Sequence, residues 1–411
     1  MKTLIISVGT GTKPTKQAVK SLANAITFSI KHHNPDKTIF IVSEQSLETT
    51  LPKILQKTKL KPENYETVLI ENPDDIQKIY ETLQPKFRQT KRKSDQIAVD
   101  YTSGTKAMTS ALTILGTIYE VNALSYITGE RKGGIVQAGT EKLNIVQPYF
   151  ATTEQKIKTA IRFFNKHQYN ATIEILKQIQ KNIKAPKITK RIKPLLQLAR
   201  AYAEWDKFQH QKAFNIIRKI DKKELNGNKR FLGLLTNTLK QNQKPEPFYI
   251  ADLINNAKRR SEEKKYDDAV ARLYRTIELI GQYQVRTKLG IDPSNAKPEN
   301  IPKKLLNQWK TEPTQEKLKL GLRKCYELLN AKNNPLGEKF CNDKKLQNLL
   351  SKRNASILAH GTTPVEQENY ENLLKKTIEY AQIAVEKLEQ LIEESRFIKW
   401  KNSYEQPPNN H

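Results

Sequence analysis

The chain has 411 residues, and its 71 Lys and Arg against 43 Asp and Glu give it a formal net charge of +28. This length predicts two or three domains, while 37% hydrophobic residues exclude a wholly disordered chain. No apolar run approaches the roughly 20 residues of a membrane-spanning helix, and the first residues lead directly into a strand-like segment. We therefore expect no signal peptide, no membrane contact and a cytoplasmic location.

Residues 1–150 alternate short apolar, β-rich runs with amphipathic stretches. Strands are predicted at 3–8, 38–43, 67–70, 96–100, 123–128 and 143–146. Helices are predicted at 16–31, 47–57, 74–91 and 105–119. This alternation predicts an α/β, Rossmann-like parallel sheet covered on both faces, in which ligands bind beyond the carboxyl ends of the strands.

The strand pattern stops after Pro148, and the remaining chain is predicted to be helical. A polar, proline-interrupted segment at 240–247 predicts a second boundary. Later helices are expected near 314–331, 344–360 and 366–396. The predicted organisation is a ligand-sensing domain at 1–150, a basic helical connecting domain at 151–247, a helical domain at 248–405 and a frayed tail at 406–411.

The charge is unevenly distributed along the chain. Residues 1–150 hold 20 basic and 14 acidic side chains, a net charge of +6, and the other 261 residues hold 51 and 29, a net charge of +22. A surplus of Lys and Arg attracts phosphate, which indicates a nucleic-acid partner for the helical part. A Lys-rich proteome, in which the charges spread over solvated faces, is the alternative explanation.

Two glycine-containing loops follow predicted strands and precede predicted helices. The first is Gly9-Thr-Gly-Thr-Lys13, and the second is Asp100-Tyr-Thr-Ser-Gly-Thr-Lys-Ala-Met108. Glycines allow close backbone approach, and hydroxyls, an ammonium and helix N-termini donate to anionic oxygens. Either loop alone is also explained by an ordinary strand-to-helix turn, and neither completes a dinucleotide or P-loop motif.

Together the two loops resemble the signature loops of CARF domains, the CRISPR-associated Rossmann-fold sensors. The resemblance implies a domain that dimerises and holds a cyclic oligoadenylate across its two-fold axis. It also implies the ligand-binding residues, which are Gly9, Thr10, Gly11 and Thr12 in the first loop and Thr102, Ser103, Gly104, Thr105 and Lys106 in the second. Ser103 stands where the family often has another glycine.

Arg353 and His360 are seven residues apart in a predicted helix, so a continuous helix would place both on one face. Ile357 and Leu358 would then anchor the helix in a core, and Gly361 would end it. An arginine and a histidine together suit RNA cleavage, because the ribose 2′-hydroxyl is the nucleophile and needs no metal. The histidine transfers protons and the guanidinium stabilises the charged phosphorane. The alternative interpretation is that neither residue is catalytic, with His360 capping the end of the helix and Arg353 exposed to solvent.

The segment from Arg353 to Gly361 resembles the Arg-x(4–6)-His motif of HEPN ribonucleases, and residues 266–278 resemble a helix of CARF–HEPN proteins. The two halves together resemble CRISPR ancillary ribonucleases of type III systems. The resemblance implies a homodimer that cleaves single-stranded RNA when cyclic oligoadenylate binds. Arg353 and His360 would be catalytic, and Asn354 would orient the substrate or His360.

Other chemistry has little support in the sequence. The six histidines show no zinc spacing, and Cys325 and Cys341 form no metal or redox motif, so we expect neither a metal nor a cofactor. Two rival functions stay open. One is a non-catalytic, ligand-controlled nucleic-acid-binding regulator, and the other is a helical scaffold for protein partners.

Overall fold

A computed structural model describes residues 1–11, 15–132, 135–183, 185–310 and 316–401. The chain divides into two compact units, Met1–Ile157 and the part that begins at Lys158. The predicted domain boundaries at residues 150 and 247 stay predictions. Thr12, in the first predicted loop, and the predicted tail at 406–411 lie outside the described residues.

The first unit is an α/β domain. Its strands are β1 (Lys2–Val8), β2 (Lys37–Val42), β3 (Tyr65–Leu69), β4 (Gln96–Asp100), β5 (Ala123–Thr128), β6 (Arg131–Lys132), β7 (Ile135–Val136) and β8 (Lys142–Val146). Its helices are α1 (Lys16–His33), α2 (Glu44–Thr49), α3 (Leu51–Thr58), α4 (Ile76–Lys93) and α5 (Lys106–Ile118). The predicted alternation is therefore confirmed. The helix predicted at 47–57 is interrupted at Thr50, and Pro52 lies in the first turn of α3, where its missing N–H has no intrahelical partner to lose.

The main sheet has the strand order β3-β2-β1-β4-β5-β8. Its first five strands are parallel, as predicted, but β8 pairs antiparallel with β5. The chain between β5 and β8 contains the small β6–β7 pairing and no crossover helix among its described residues, and a parallel pair requires such a crossover. The sheet is therefore mixed at one edge.

Apolar side chains fill both faces of the sheet, as a parallel sheet covered by helices requires. On β1, Leu4 and Ile6 pack with Ala23 and Ile26 of α1, while Ile5 belongs to a cluster on the opposite face. Successive strand residues point to opposite faces, so this alternation fixes which helix covers which side.

The chain is helical from α6 (Tyr149–Asn165) onward. The other helices are α7 (Tyr169–Asn182), α8 (Pro186–Trp205), α9 (His210–Ile217), α10 (Asn226–Lys240), α11 (Glu246–Glu262), α12 (Tyr266–Leu289), α13 (Lys303–Gln308), α14 (Leu322–Ala331), α15 (Pro335–Asn342), α16 (Lys344–Asn354), α17 (Gln367–Ala384) and α18 (Leu388–Glu394). None of the helices in the described ranges is long and apolar enough to cross a membrane.

Three helix predictions in this part need correction. The helix predicted at 314–331 begins only at Leu322, because Leu318 forms a bridge with Ala296 instead. The helix predicted at 366–396 is divided where Lys387 adopts a left-handed backbone conformation. The helix predicted at 344–360 ends at Asn354, which changes the candidate catalytic site.

Candidate functional site

The sheet brings the two predicted sensor loops together, because β1 and β4 are adjacent parallel strands. The Ser103 hydroxyl donates to the carbonyl of Ser7 at 2.9 Å and accepts from the Gly9 N–H at 3.1 Å. The Ser7 hydroxyl in turn donates to the carbonyl of Ser103. Three reciprocal hydrogen bonds therefore tie the first loop to the second within one chain.

Glycine is required where the two loops touch. A Cβ on Gly9 would lie 2.6 Å from the backbone nitrogen of Gly104, closer than real side-chain contacts. Gly104 itself has a φ of 112°, in the region that favours glycine. These two glycines therefore set the backbone-to-backbone contact between the loops, and a third, Gly11, also has a positive φ of 86°.

The structure uses most of the loop hydroxyls internally. The Thr102 hydroxyl accepts from the Ile127 N–H, and the Thr105 hydroxyl caps α5 by accepting from the Met108 N–H. Ser103 is buried. Lys106, at the first position of α5, is exposed, whereas Thr10 is half-buried and its hydroxyl reaches Gln45 at 3.4 Å.

A buried polar network lies beneath the second loop. The Asp100 carboxylate accepts from Ser29 at 2.5 Å, from Ser125 at 3.0 Å and from the Thr102 N–H at 2.8 Å. Burial raises the pKa of Asp100, and these hydrogen bonds oppose that rise. His33 bonds Ser125 at 2.9 Å, and burial, followed by the nearby Lys2 charge, lowers the pKa of His33 to about 4. The network therefore anchors the start of the second loop to α1 and β5.

The candidate ribonuclease site lies at the end of α16 and in the loop that follows. The helix ends at Asn354, so Arg353 is helical and His360 is not. Asn and Ser side chains compete for backbone hydrogen bonds, and the Asn354-Ala-Ser356 segment is accordingly a poor helix former. The loop turns back so that the His360 N–H donates to the Asn354 carbonyl at 3.1 Å. His360 is thus returned to the helix end by a fold of the loop rather than by helical periodicity.

Close packing stabilises this loop. The Thr363 N–H donates to the Ala355 carbonyl at 3.1 Å, and a Cβ on Gly361 would overlap that same carbonyl. Gly361 is therefore needed for the fold of the loop, not as the predicted end of a helix. Ile357 and Leu358, predicted to anchor a helix in a core, are instead 67% and 46% exposed. Both precede His360 in the same loop.

Arg353 is held from two sides. Its guanidinium carbon lies 4.4 Å from the ring centroid of Tyr274 in α12, which is cation–π geometry. One terminal nitrogen donates to the Asn354 side-chain oxygen at 3.3 Å, so the side chain of Asn354 bonds the arginine while its backbone carbonyl bonds the His360 N–H. The Arg353 Nε is buried and has no hydrogen-bond partner among the described residues. Tyr274 lies in the segment 266–278 that resembles a helix of CARF–HEPN proteins, but the sequence did not single it out.

The His360 side chain is exposed and makes no hydrogen bond within the described part of the chain. An exposed imidazole can transfer protons, and the guanidinium of Arg353 is a cation that can bind phosphate. Over the described ranges, no three His, Cys, Asp or Glu side chains come together as metal ligands.

Three family models match the chain in succession. A Card1 CARF domain matches residues 15–148, a Csm6 6H domain matches 152–244 and a Csm6 HEPN domain matches 238–384. The chain belongs to the CARF–HEPN family of CRISPR ancillary ribonucleases. Its architecture is that of a ligand-sensing nuclease of type III CRISPR defence, with a CARF domain at the N-terminus and a HEPN domain toward the C-terminus.

A solved structure has the same fold as this CARF–HEPN chain. It is Enterococcus italicus Csm6 bound to cyclic hexa-2′-fluoro-hexa-dAMP, with a TM-score of 0.62 and 12% sequence identity over 96% of this chain and 100% of that one. No curated protein sequence matches the chain. The predicted fold class, a Rossmann-like sensor followed by a helical region with a HEPN domain, is confirmed.

The matched family models contain all the candidate catalytic residues but only part of the candidate ligand-binding residues. The CARF match begins at Thr15, so it contains the second loop and not Gly9 to Thr12. The HEPN match contains Tyr274, Arg353, Asn354 and His360. In the CARF domain the structure brings Gly9 against Ser103 and Gly104 of the second loop, and in the HEPN domain it brings Arg353 and Asn354 into contact.

Proposed function

We propose that this CARF–HEPN protein is a cytoplasmic, metal-independent endoribonuclease that cleaves single-stranded RNA when a cyclic oligoadenylate binds its CARF domain. The proposal is supported by the Arg353 guanidinium, which is held on Tyr274, and by the exposed imidazole of His360, whose backbone N–H bonds the carbonyl of Asn354, the residue after Arg353. Neither a nucleic-acid-binding regulator nor a protein scaffold requires this pair.

The reaction needs only groups that RNA and this site supply. The ribose 2′-oxygen attacks the adjacent phosphorus and loses its proton, and the bond from phosphorus to the 5′-oxygen breaks as that oxygen gains a proton. The products are a 2′,3′-cyclic phosphate and a 5′-hydroxyl. Arg353 stabilises the charge on the phosphorane oxygens, and Asn354, which contacts Arg353, orients it.

One histidine cannot accept and donate a proton at the same moment. We therefore propose a homodimer in which two copies of the HEPN domain face each other and each contributes one His360. The exposed Ile357 and Leu358, which precede His360 in its loop, support this arrangement, because association would remove apolar surface from water.

The proposed activator is supported by the two loops of the CARF domain and by the cyclic adenosine nucleotide analogue that the Enterococcus italicus protein binds. In this chain Gly9, Thr10, Gly11 and Thr12 would line one side of the ligand. Thr102, Ser103, Gly104, Thr105 and Lys106 would line the other. Activation requires that the ligand bind more tightly to the dimer in which the two HEPN sites are correctly spaced.

The decisive experiment incubates the full-length protein with end-labelled single-stranded RNA, EDTA and cyclic oligoadenylates of different ring sizes. We expect cleavage with one ring size and products that end in a 2′,3′-cyclic phosphate. RNA binding without cleavage would favour the ligand-controlled regulator, and loss of cleavage in EDTA would contradict metal independence. Cleavage that is equal with and without every ring would contradict the sensor assignment.

A further inference from the structure

The helices α7 and α8, in the part of the chain that matches a Csm6 6H domain, carry a concentrated positive charge. Residues 169–205, which span both helices, hold eight basic and two acidic side chains, a net charge of +6. Residues 367–394, which span α17 and α18, hold three basic and seven acidic side chains, a net charge of −4. A lysine-rich composition spread over all solvated faces would give both segments the same sign. The positive charge is therefore specific to this part of the surface.

Six exposed side chains of the two helices carry this charge, and we call them the α7–α8 basic surface. They are, in chain order, Lys177, Lys181, Lys187, Lys190, Lys193 and Arg200. Because α7 packs against α8, the cations of the two helices belong to one helical hairpin. None of the six forms an ion pair or a hydrogen bond with the residues that the structure describes. Their charges are therefore available to a partner.

The four cations of α8 lie along one face of the helix. At 100° per residue, Lys190, Lys193 and Arg200 fall within about 80° of one another, and Lys187 lies about 60° from Lys190. The buried Ala199 points to the opposite side of the helix. At 1.5 Å per residue, the row of cations is about 20 Å long. A row of this length can follow the backbone of several nucleotides.

The stability of the two helices does not explain these cations. Lys177 and Lys181 lie four residues apart, a spacing at which like charges repel each other. Lys187 and Lys190, like Lys190 and Lys193, lie three residues apart with the same consequence. The first turn of α8 contains no acidic residue, and Lys187 in that turn opposes the helix dipole. Acidic residues at these positions would stabilise the helices, whereas cations favour binding of an anionic partner.

The surface suits the backbone of RNA rather than its bases. All three aromatic residues of α7 and α8 are buried, namely Tyr169, Tyr202 and Trp205, so the surface offers no ring on which a base can stack. Lys and Arg side chains bind phosphate without reading the sequence. Such binding releases counterions and therefore weakens steeply as the salt concentration rises.

We propose that the α7–α8 basic surface is an RNA-binding site outside the catalytic pair, which holds the phosphate backbone of a long single-stranded substrate. The assignment rests on the proposed ribonuclease function, because a single-stranded RNA substrate is the polyanion that the protein must then bind. It predicts that long RNA binds more tightly than short RNA, a difference that Arg353 and His360 alone do not produce.

The test uses the full-length protein with its activator and substitutes glutamine, which has the helix propensity of lysine without its charge. The α8 variant combines Lys187→Gln, Lys190→Gln and Lys193→Gln. The α7 variant combines Lys177→Gln and Lys181→Gln. The control, the α4 variant, combines Arg88→Gln, Arg92→Gln and Lys93→Gln, which remove three exposed cations from a helix of the CARF domain. The α8 and α4 variants therefore lose the same net charge.

Fluorescence anisotropy measures binding of a fully 2′-O-methylated RNA of about 40 nucleotides, which cannot react and is longer than one basic groove occupies. We expect the α8 variant to bind it about tenfold more weakly, because three exposed phosphate contacts are lost. The slope of log Kd against log salt concentration should fall by about two in the α8 variant and by about one in the α7 variant. The α4 variant should keep the affinity and the slope of the parent.

Cleavage of unmodified RNA provides a second measurement. The KM for the long RNA should rise about tenfold in the α8 variant while kcat stays at the parent level, because the lost contacts are the same in the ground state and the transition state. A tetranucleotide, which fills little more than the catalytic site, should be cleaved equally by the parent and by the α8 variant.

Each outcome decides one of the two proposals. Parent-level RNA affinity and salt slope in both the α8 and α7 variants overturn the RNA-binding surface. An equal loss of affinity in the α8 and α4 variants also overturns it, because the effect then follows from net charge alone. Parent binding to phosphatidylserine vesicles that the α8 variant loses, with unchanged RNA affinity, assigns the surface to a membrane and overturns the proposal. Weaker RNA binding in the α8 variant, with no cleavage of any RNA by the parent, overturns the ribonuclease function and leaves the surface standing.

Discussion

The two candidate sites differ in how their functional groups are held. In the CARF domain, hydrogen bonds between Ser7, Gly9 and Ser103 connect the loops after β1 and β4 within one chain. In the HEPN domain, Arg353 rests on Tyr274 while the His360 side chain is exposed and unbonded within the described part of the chain. Contacts within one chain thus hold the two CARF loops together, whereas the candidate catalytic site presents the His360 imidazole to solvent. An exposed histidine at the HEPN site is what we expect if a second copy of the chain completes the catalytic cleft.

The largest effect should follow from His360→Ala. We expect RNA cleavage to fall on the order of a thousandfold, because the variant loses its proton-transfer group. Activator binding and thermal unfolding should not change, since the imidazole is exposed and makes no hydrogen bond in the described part of the chain. Thr362→Ala, at an exposed position of the same loop, is the matched control. Unchanged turnover in His360→Ala would remove the catalytic assignment.

Lys106→Ala tests the sensor side. Removal of one charged hydrogen-bond donor to the activator should raise the concentration for half-maximal activation about tenfold. Cleavage at saturating activator should stay at the parent level, because Lys106 belongs to the CARF domain and not to the catalytic pair. Lys57→Ala, at the C-terminal end of α3, removes the same charge away from the loops. An equal rise in the half-maximal activator concentration for both variants would show that Lys106 acts only through long-range attraction between the charged protein and the activator.

Tyr274→Leu tests whether the tyrosine ring positions Arg353. Loss of a cation–π contact worth roughly 1 kcal/mol should lower kcat about fivefold and leave the RNA KM nearly unchanged. Tyr274→Phe keeps the ring face and should restore the parent kcat, since the tyrosine hydroxyl has no hydrogen bond in the described ranges. An equal loss of kcat in both variants would show that the ring is not the positioning group.

The smallest expected effect is the contribution of His33 to the pH dependence of the free energy of unfolding. The pKa of His33 falls to about 4 on folding, so between pH 6.5 and 4 the unfolded chain binds more protons than the folded one. This histidine therefore destabilises the fold as the pH falls through that window, by roughly 3 kcal/mol at most. The raised pKa of Asp100 acts in the opposite sense, so the contribution of His33 must be isolated by comparison.

Denaturant unfolding of the parent and of His33→Gln across this pH range makes that comparison. The free energy of unfolding should fall more steeply with decreasing pH in the parent. His32→Gln, at the adjacent exposed position, should follow the parent curve. Parallel curves for the parent and His33→Gln would show that the buried histidine does not titrate as described.

Much of the fold followed from local patterns. Six strands of the main sheet were predicted from apolar runs, and the signal is clearest for β1, β2 and β4, because a strand buried on both faces has a distinctive composition. The direction of β8 was not predicted, since the sequence between β5 and β8 does not indicate whether a crossover or a hairpin connects the two strands. The sensor loops were predicted as a pair because adjacent parallel strands deliver their following loops to one edge.

The candidate catalytic site was only partly predictable. The proximity of Arg353 and His360 was inferred from continuous helical periodicity, but the helix ends at Asn354 and a folded loop returns His360 to it. Local propensity accounts for the end of the helix at Asn354, but the return of the loop depends on the close approach of Gly361 to Ala355, which helix propensity alone cannot express. Tyr274 lies 79 residues before Arg353, and no local signal connects the two.

The amino-acid sequence by itself determined the alternation of strands and helices, the two glycine-containing loops and the residue types at both sites, because each depends on neighbours within a few positions. Only the tertiary structure decided the direction of β8, the internal use of the Thr102, Ser103 and Thr105 hydroxyls and the ring beneath Arg353. These features join segments that are distant along the chain. Their geometry arises from side-chain packing, which the hydrophobic periodicity of the sequence does not predict.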